Sequence, residues 1–136
     1  MVEVALERVP HASRALRVLV VDDEVAFCDV VCEILIASGY IATSAHGVLG
    51  ARETLQRERP DVILSDIMMP EIDGLQFVRE LRQDPRTSKI PVLVVSAKAS
   101  SGDRQAALEA GASGFLAKPF SANELEANLT DILQTE

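Results

Sequence analysis

Val62-Ile63-Leu64-Ser65-Asp66-Ile67-Met68-Met69-Pro70 is the stretch on which the reading of this chain turns. Three apolar residues and a serine run into one aspartate, and a proline follows four positions later. Pro60 bounds the run in front, and Pro70-Glu71-Ile72-Asp73-Gly74 bounds it behind. A short apolar run between turn residues is the pattern of a strand buried on both faces. Asp66 then stands where the strand ends and the chain turns. In an open α/β sheet that is the rim where ligands bind. A lone aspartate at such a place more often only caps a turn. The functional reading gains weight if other charged groups fall at matching places.

Working outward, the pattern recurs. Arg17-Val18-Leu19-Val20-Val21 is an apolar run ending in Asp22-Asp23-Glu24. Ile90-Pro91-Val92-Leu93-Val94-Val95 ends in Ser96-Ala97-Lys98, and the short Gly114-Phe115-Leu116-Ala117 ends at Lys118-Pro119. Ile41-Ala42-Thr43-Ser44 is shorter and mixed. Helices are expected between them. The first runs from about Val25 to Ser38, with Phe27, Val31, Ile34 and Leu35 on one stripe and Gly39 closing it. The second runs from about Leu49 to Arg59, after the His46-Gly47 turn, and carries Leu55. The third runs from Gly74 to about Gln83, capped by Asp73, with Leu75, Val78 and Leu81 inward. Ser100-Ser101-Gly102-Asp103 leads into a fourth, ended by Gly111. Ser121-Ala122-Asn123-Glu124 has capping-box spacing and opens a fifth, ending near Leu133.

Strand and helix alternating five times imply a parallel sheet with helices on both faces. The fold class is therefore α/β, a three-layer sandwich. Strands 1, 3 and 4 are the most uniformly apolar and belong in the middle; strands 2 and 5 belong at the edges. The order 2-1-3-4-5 meets both conditions. It opens a crevice at the carboxyl ends of strands 1 and 3.

The 136 residues fit one domain over residues 16–136, preceded by a tail, residues 1–15, that contains Pro10 and has no clear period. Composition is 48% hydrophobic with no long apolar run, which argues against a membrane span. The first residues lack a basic segment and an apolar core, so no secretory signal is expected and the location read is cytoplasmic. Thirteen basic against 21 acidic residues give a net charge of −8, which argues against nucleic-acid binding. Cys28 and Cys32 lie four apart in a helical pattern with no histidine nearby, so reduced, partly buried thiols are expected in place of a zinc site. His11 and His46 are read as surface residues and Met69 as core.

The topology selects the chemistry. Asp22 and Asp23 end one strand and Asp66 ends its neighbour, so three carboxylates converge. Ser96 and Lys118 end the next two strands. Each alone has a bland reading, as a cap, a turn former or a solvated charge. Four strands all ending this way by accident is a poor explanation. Converging carboxylates must take up protons or be neutralised by a cation. Oxygen ligands on an open rim suit Mg²⁺. A carboxylate beside Mg²⁺, a lysine and a hydroxyl can accept a phosphoryl group by in-line attack. Asp66 is the best nucleophile, and Asp22 and Asp23 are better placed as metal holders.

At this point the chain resembles the receiver domains of two-component response regulators. The resemblance rests on Val20-Val21-Asp22-Asp23-Glu24, Asp66-Ile67-Met68-Met69-Pro70 with Asp73-Gly74, Val94-Val95-Ser96-Ala97, Gly111-Ala112 and Lys118-Pro119-Phe120, and spans about residues 16–134. It implies a flavodoxin-like fold of the single-domain, chemotaxis-regulator kind. By position it implies that Asp66 is phosphorylated by a histidine kinase or a histidine phosphotransfer protein. It implies that Asp22, Asp23, Asp66 and the backbone carbonyl of Met68 hold Mg²⁺, that Ser96 and Lys118 meet the phosphoryl group, and that the Lys118–Pro119 bond is cis. Phe115 falls at the switch aromatic, where the family often has tyrosine, so a signal needing a ring hydroxyl is not expected. Met68 and Lys98 fall where the family tunes acyl-phosphate lifetime. The surface of the fourth helix, fifth strand and fifth helix is the expected face for a downstream protein partner.

Other functions fit less well. The chain could be the receiver fragment of a larger hybrid kinase. An aspartate-dependent phosphatase usually carries a second aspartate two residues after the nucleophile, where this chain has Met68. A pseudo-receiver used only for docking would lack an acid, the serine or the lysine, and all are present. The expected product is a phospho-switch that acts on its own phosphorylation and is not a turnover enzyme.

Overall fold

The computed structural model describes residues 15–69 and 72–134. The tail expected over residues 1–15, His11 included, lies outside the described residues except for Ala15. Five strands and five helices alternate: β1 (Arg17–Val21), α1 (Val25–Ala37), β2 (Ile41–Ala45), α2 (Val48–Arg57), β3 (Val62–Ser65), α3 (Gly74–Gln83), β4 (Val92–Ser96), α4 (Ser101–Ala110), β5 (Gly114–Ala117) and α5 (Ala122–Gln134). The strands form one parallel sheet in the order β2-β1-β3-β4-β5. The fold and its strand order are as the apolar pattern required.

Strand residues alternate between two cores, because successive side chains point to opposite faces. Leu19, Val21, Ile63, Val92 and Val94 pack with Ala51 of α2, Phe77 and Val78 of α3 and Ala107 of α4. Val18, Val20, Leu64, Leu93 and Val95 pack on the other side with Cys28, Val31 and Leu35 of α1 and Leu125, Leu129 and Ile132 of α5. The central strands β1, β3 and β4 are buried along nearly their whole length.

Several expectations shift. β4 begins at Val92, not Ile90. Pro91 has no N–H for the ladder, although its carbonyl still accepts from Ile63. α2 ends at Arg57, because Glu58 is already extended and the residue before Pro60 is biased away from helix. In α3 the buried stripe is Gly74, Phe77, Val78 and Leu81, with Leu75 only half-buried. That spacing of three, four and seven is the better fit to a helix period. Phe27 and Ile34 are likewise half-buried, while Cys28, unremarked in the stripe, is wholly buried.

The caps fall where the sequence put them. The Asp73 carboxylate accepts from the Leu75 amide, and Gly39 and Gly111 take positive φ at helix ends. Ser121 and Glu124 exchange reciprocal bonds. Ser100 and Asp103 do the same at α4. Met69 is core and His46 is exposed, as read.

Candidate functional site

The carboxyl ends of β1, β3, β4 and β5 deliver their polar residues to one rim. Asp22 and Asp66 are the first residues past β1 and β3. Their amides still continue the ladder, Asp22 donating to the Ala45 carbonyl and Asp66 to that of Val21. The backbone therefore fixes both carboxylates as firmly as strand residues. Ligand oxygens of Asp22, Asp23 and Asp66 lie within 4.8 Å of one another. Asp22 and Asp66 are buried and Asp23 is exposed. The cluster thus has a dry inner wall and one wet member.

Lys118 closes it. Its ammonium donates to Asp22 Oδ2 at 2.8 Å and to Asp66 Oδ2 at 3.1 Å, with Glu24 Oε1 at 3.9 Å. The same nitrogen lies 3.9 Å from the centroid of the Phe27 ring, and Phe27 meets Phe120 edge-to-face. The bland reading of Lys118 as a solvated charge does not hold, because its side chain is only 14% exposed. It is enclosed because its alkyl stem and ammonium sit between the acids and the α1 aromatic. Of the two ways to relieve converging carboxylates, the structure shows neutralisation by a cation, and the chain supplies that cation itself as the Lys118 ammonium. Burial pushes the Asp22 carboxyl above its ordinary value, although the bond from Lys118 opposes this. Burial alone would lower Lys118; the bonds to Asp22 and Asp66 outweigh it and hold the ammonium above its ordinary value.

The other oxygens are also held. Asp22 Oδ1 accepts from the Glu24 amide at 2.9 Å, and Asp66 Oδ1 from the Met68 amide at 2.9 Å. Met68 is otherwise exposed, its side chain toward solvent beside the acids. Ser96, wholly buried, accepts from the Lys98 amide at 3.1 Å through its hydroxyl oxygen. Among the described residues its hydroxyl proton meets no acceptor, so it stays free to donate. The Lys118–Pro119 bond is cis. Phe115 is half-buried against the α2–α3–α4 core, and the Arg104 guanidinium lies 4.9 Å over its ring.

The structure thus brings Asp22, Asp23, Asp66 and Lys118 into one cluster, with Ser96 on the neighbouring strand end and Phe115 in register with Val94. Sequence reasoning missed Phe27, Glu24 and Arg104. Phe27 sits on the apolar stripe of α1, which reads as core, and no spacing links it to Lys118. The oxygen donor set, with one solvent-facing carboxylate, fits a hard divalent cation.

A model of the family described as "Response regulator receiver domain" matches residues 18–130. Response regulator MprA of Mycobacterium ulcerans is 38% identical over 120 residues, covering 88% of this chain and 51% of its own length. The chain spans about half the length of the curated relatives it matches. Among solved structures, chemotaxis protein CheY4 of Vibrio cholerae superposes with a TM-score of 0.83 at 31% identity, over 87% of this chain and 98% of that one. The receiver domain of sensor histidine kinase PA1611 from Pseudomonas aeruginosa PAO1, with a magnesium ion coordinated in its active-site cleft, superposes with a TM-score of 0.80 at 32% identity, over 88% and 98%.

Proposed function

Because this chain belongs to the response regulator receiver family of two-component systems, we propose that Asp66 is its phosphoacceptor. Receiver domains interact with histidine kinases or phosphotransfer proteins, and one of these would be the donor. The observation that carries the reading is the Lys118 ammonium bonded to both Asp22 and Asp66, with Asp23 beside them. Asp22, Asp23, Asp66 and the Met68 carbonyl would hold Mg²⁺, which when bound supplies positive charge toward the transferring phosphoryl oxygens.

This chain's own residues then act as follows. A carboxylate oxygen of Asp66 attacks phosphorus in line. The new P–O bond forms as the P–N bond to the donor imidazole breaks, and that electron pair returns to the ring nitrogen. The Met68 amide and Lys118 hold the two oxygens of Asp66, which fixes the angle of approach. Lys118 can follow the growing negative charge while keeping Asp22 as partner. The Ser96 hydroxyl, at the end of the strand next to β3, would donate its proton to a phosphoryl oxygen. Its movement would carry the Ala97–Gly102 segment, and Phe115 would fill the space released beneath it. With no ring hydroxyl, that step depends on packing and on the Arg104 contact.

The surface of α4, β5 and α5 would then be the face that changes and that a downstream partner reads. The domain is proposed to act in the cytoplasm as a switch or relay.

Incubation with a small acyl-phosphate donor and Mg²⁺ tests the reading. The mass should rise by one base-labile phosphoryl group, and Asp66→Ala should abolish it. A phosphoryl group that persists on the Asp66→Ala protein would falsify the assignment.

A further inference from the structure

Lys118 has a third contact beyond its two acids. An ammonium carries three N–H donors and no acceptor. Asp22 Oδ2 at 2.8 Å and Asp66 Oδ2 at 3.1 Å take two of them. Glu24 Oε1, at 3.9 Å, lies beyond hydrogen-bond reach. On the remaining side the nitrogen stands 3.9 Å from the centroid of the Phe27 ring, inside the range of a cation–π contact. The negative face of the ring thus stands where a third acceptor would. Phe27 and Lys118 also line a hollow of about 380 Å³, whose other walls, Val30, Ile34, Pro119 and Phe120 among them, are apolar. No other side chain lining it could take the third proton.

The ring is itself held. Phe27 extends from α1, where its neighbour Cys28 and, one turn on, Val31 are buried in the core. Phe120 meets it at 87° with ring centroids 6.0 Å apart, a favoured aromatic arrangement. Two elements, α1 and the segment after β5, therefore fix the face that Lys118 meets.

We propose that Phe27 is a positioning residue, which keeps the Lys118 ammonium at the rim while its acid partners are engaged elsewhere. The role rests on Asp66 being the phosphoacceptor. Both oxygens that Lys118 bonds belong to acids proposed to hold Mg²⁺, and Asp66 also takes the phosphoryl group. Either engagement withdraws charge from the bond to Lys118. The ring face is the contact that neither one withdraws. Without it the ammonium is free to turn out toward the exposed Glu24 carboxylate.

The test uses the full chain with Phe27 replaced by mono-, di- and trifluorinated phenylalanine, and separately Phe27→Leu. Fluorine drains the ring face and keeps its bulk, whereas leucine keeps apolar bulk without a face. Phosphorylation by the small acyl donor with Mg²⁺ should slow stepwise along the fluorine series, and Phe27→Leu should slow it by roughly three- to tenfold. Proton NMR of the parent should place the Lys118 ε-methylene upfield of that of an exposed lysine, with and without Mg²⁺, and Phe27→Leu should return it to the ordinary position. Rates that stay flat along the fluorine series overturn the proposal even if Phe27→Leu is slow, because bulk alone then accounts for the ring. A Lys118 signal that loses its upfield shift when Mg²⁺ is added overturns it too. A parent that takes up no phosphoryl group refutes Asp66 as acceptor and this role with it, whereas flat rates in a series phosphorylated on Asp66 refute only the role of Phe27.

Discussion

Gly74, the first residue of α3, presses on the segment that carries Asp66. Its amide donates to the Ile67 carbonyl at 3.2 Å. A Cβ built there would stand 3.1 Å from the Asp66 carbonyl carbon and would overlap the Asp66 carbonyl oxygen and Ile67 Cα. All three atoms are backbone, so no side chain can swing away. Gly74→Ala therefore sets two effects against each other. Alanine favours helix by up to about 1 kcal/mol, and by less in the first turn. Overpacking against fixed atoms costs about 1–3 kcal/mol and should win. A net loss of about 1–2 kcal/mol, at roughly 4 °C per kcal/mol, is on the order of 4–8 °C in melting temperature. The displaced Asp66–Ile67 peptide should also turn the Asp66 carboxylate away from the Met68 amide. Phosphorylation by the small acyl donor should slow as well. Gly102→Ala is the control: the nearest atom to its Cβ is Ser100 Oγ at 3.7 Å, in an exposed turn of α4. It should gain about 0.5–1 kcal/mol and phosphorylate normally. A Gly74→Ala protein that melts with its parent and phosphorylates at the parent rate would refute the account.

Three further outcomes follow from the geometry. Lys118→Met keeps an apolar stem against Phe27 but leaves Asp22 and Asp66 without their shared cation. It should cost about 1.5–3 kcal/mol at neutral pH in chemical denaturation. That cost should shrink on acidification, because the raised Asp22 pKa lets the acid take up a proton early; a cost independent of pH would count against the pairing. Arg82 donates to the carbonyls of Gly111 at 2.8 Å, Ser88 at 3.1 Å and Ile90 at 2.7 Å, tying the end of α3 to two turns. Lysine cannot span that fork, so Arg82→Lys should destabilise by about 1–3 kcal/mol, and urea melts within error of the parent would count against it. The Asp103 carboxyl lies below its ordinary value because the Ser100 hydroxyl and amide donate to it. A depressed folded value means that the cap stabilises α4 above the ordinary carboxylate pKa and fades as pH falls through the lower one. Hydrogen-exchange protection in the first turn of α4, taken relative to the intrinsic rate at each pH, should fall over that acid window in the parent and stay flat in Ser100→Ala.

The strand order was legible because burial on both faces leaves a signature no edge strand shares: Val18–Val21, Val62–Leu64 and Val92–Val95 are almost free of polar atoms. The rim was legible because four such runs end in Asp22, Asp66, Ser96 and Lys118, and strand ends in a parallel sheet gather in space. What stayed hidden depends on contacts between residues with no sequence relation. Phe27 beneath Lys118 is one, since an aromatic on a helical stripe reads only as core. Arg82 is another, since a charged residue in the last turn of α3 reads as solvated until its carbonyl partners are known. The enclosure of Lys118 followed from both kinds of ignorance. The start of β4 was misread for a local reason, the missing N–H of Pro91.

The sheet separates the two cores so cleanly that neighbours along the chain are strangers in energy. Leu19 packs toward α2, α3 and α4; Val20, joined to it by one peptide bond, packs toward α1 and α5. Damage at these two positions should add, whereas damage at Val20 and distant Leu129 should couple. A lineage can therefore refit the α1–α5 side for a new associate while the α2–α3–α4 side stands untouched. Only the rim, where Asp22, Asp66 and Lys118 answer to both sides at once, is denied that freedom.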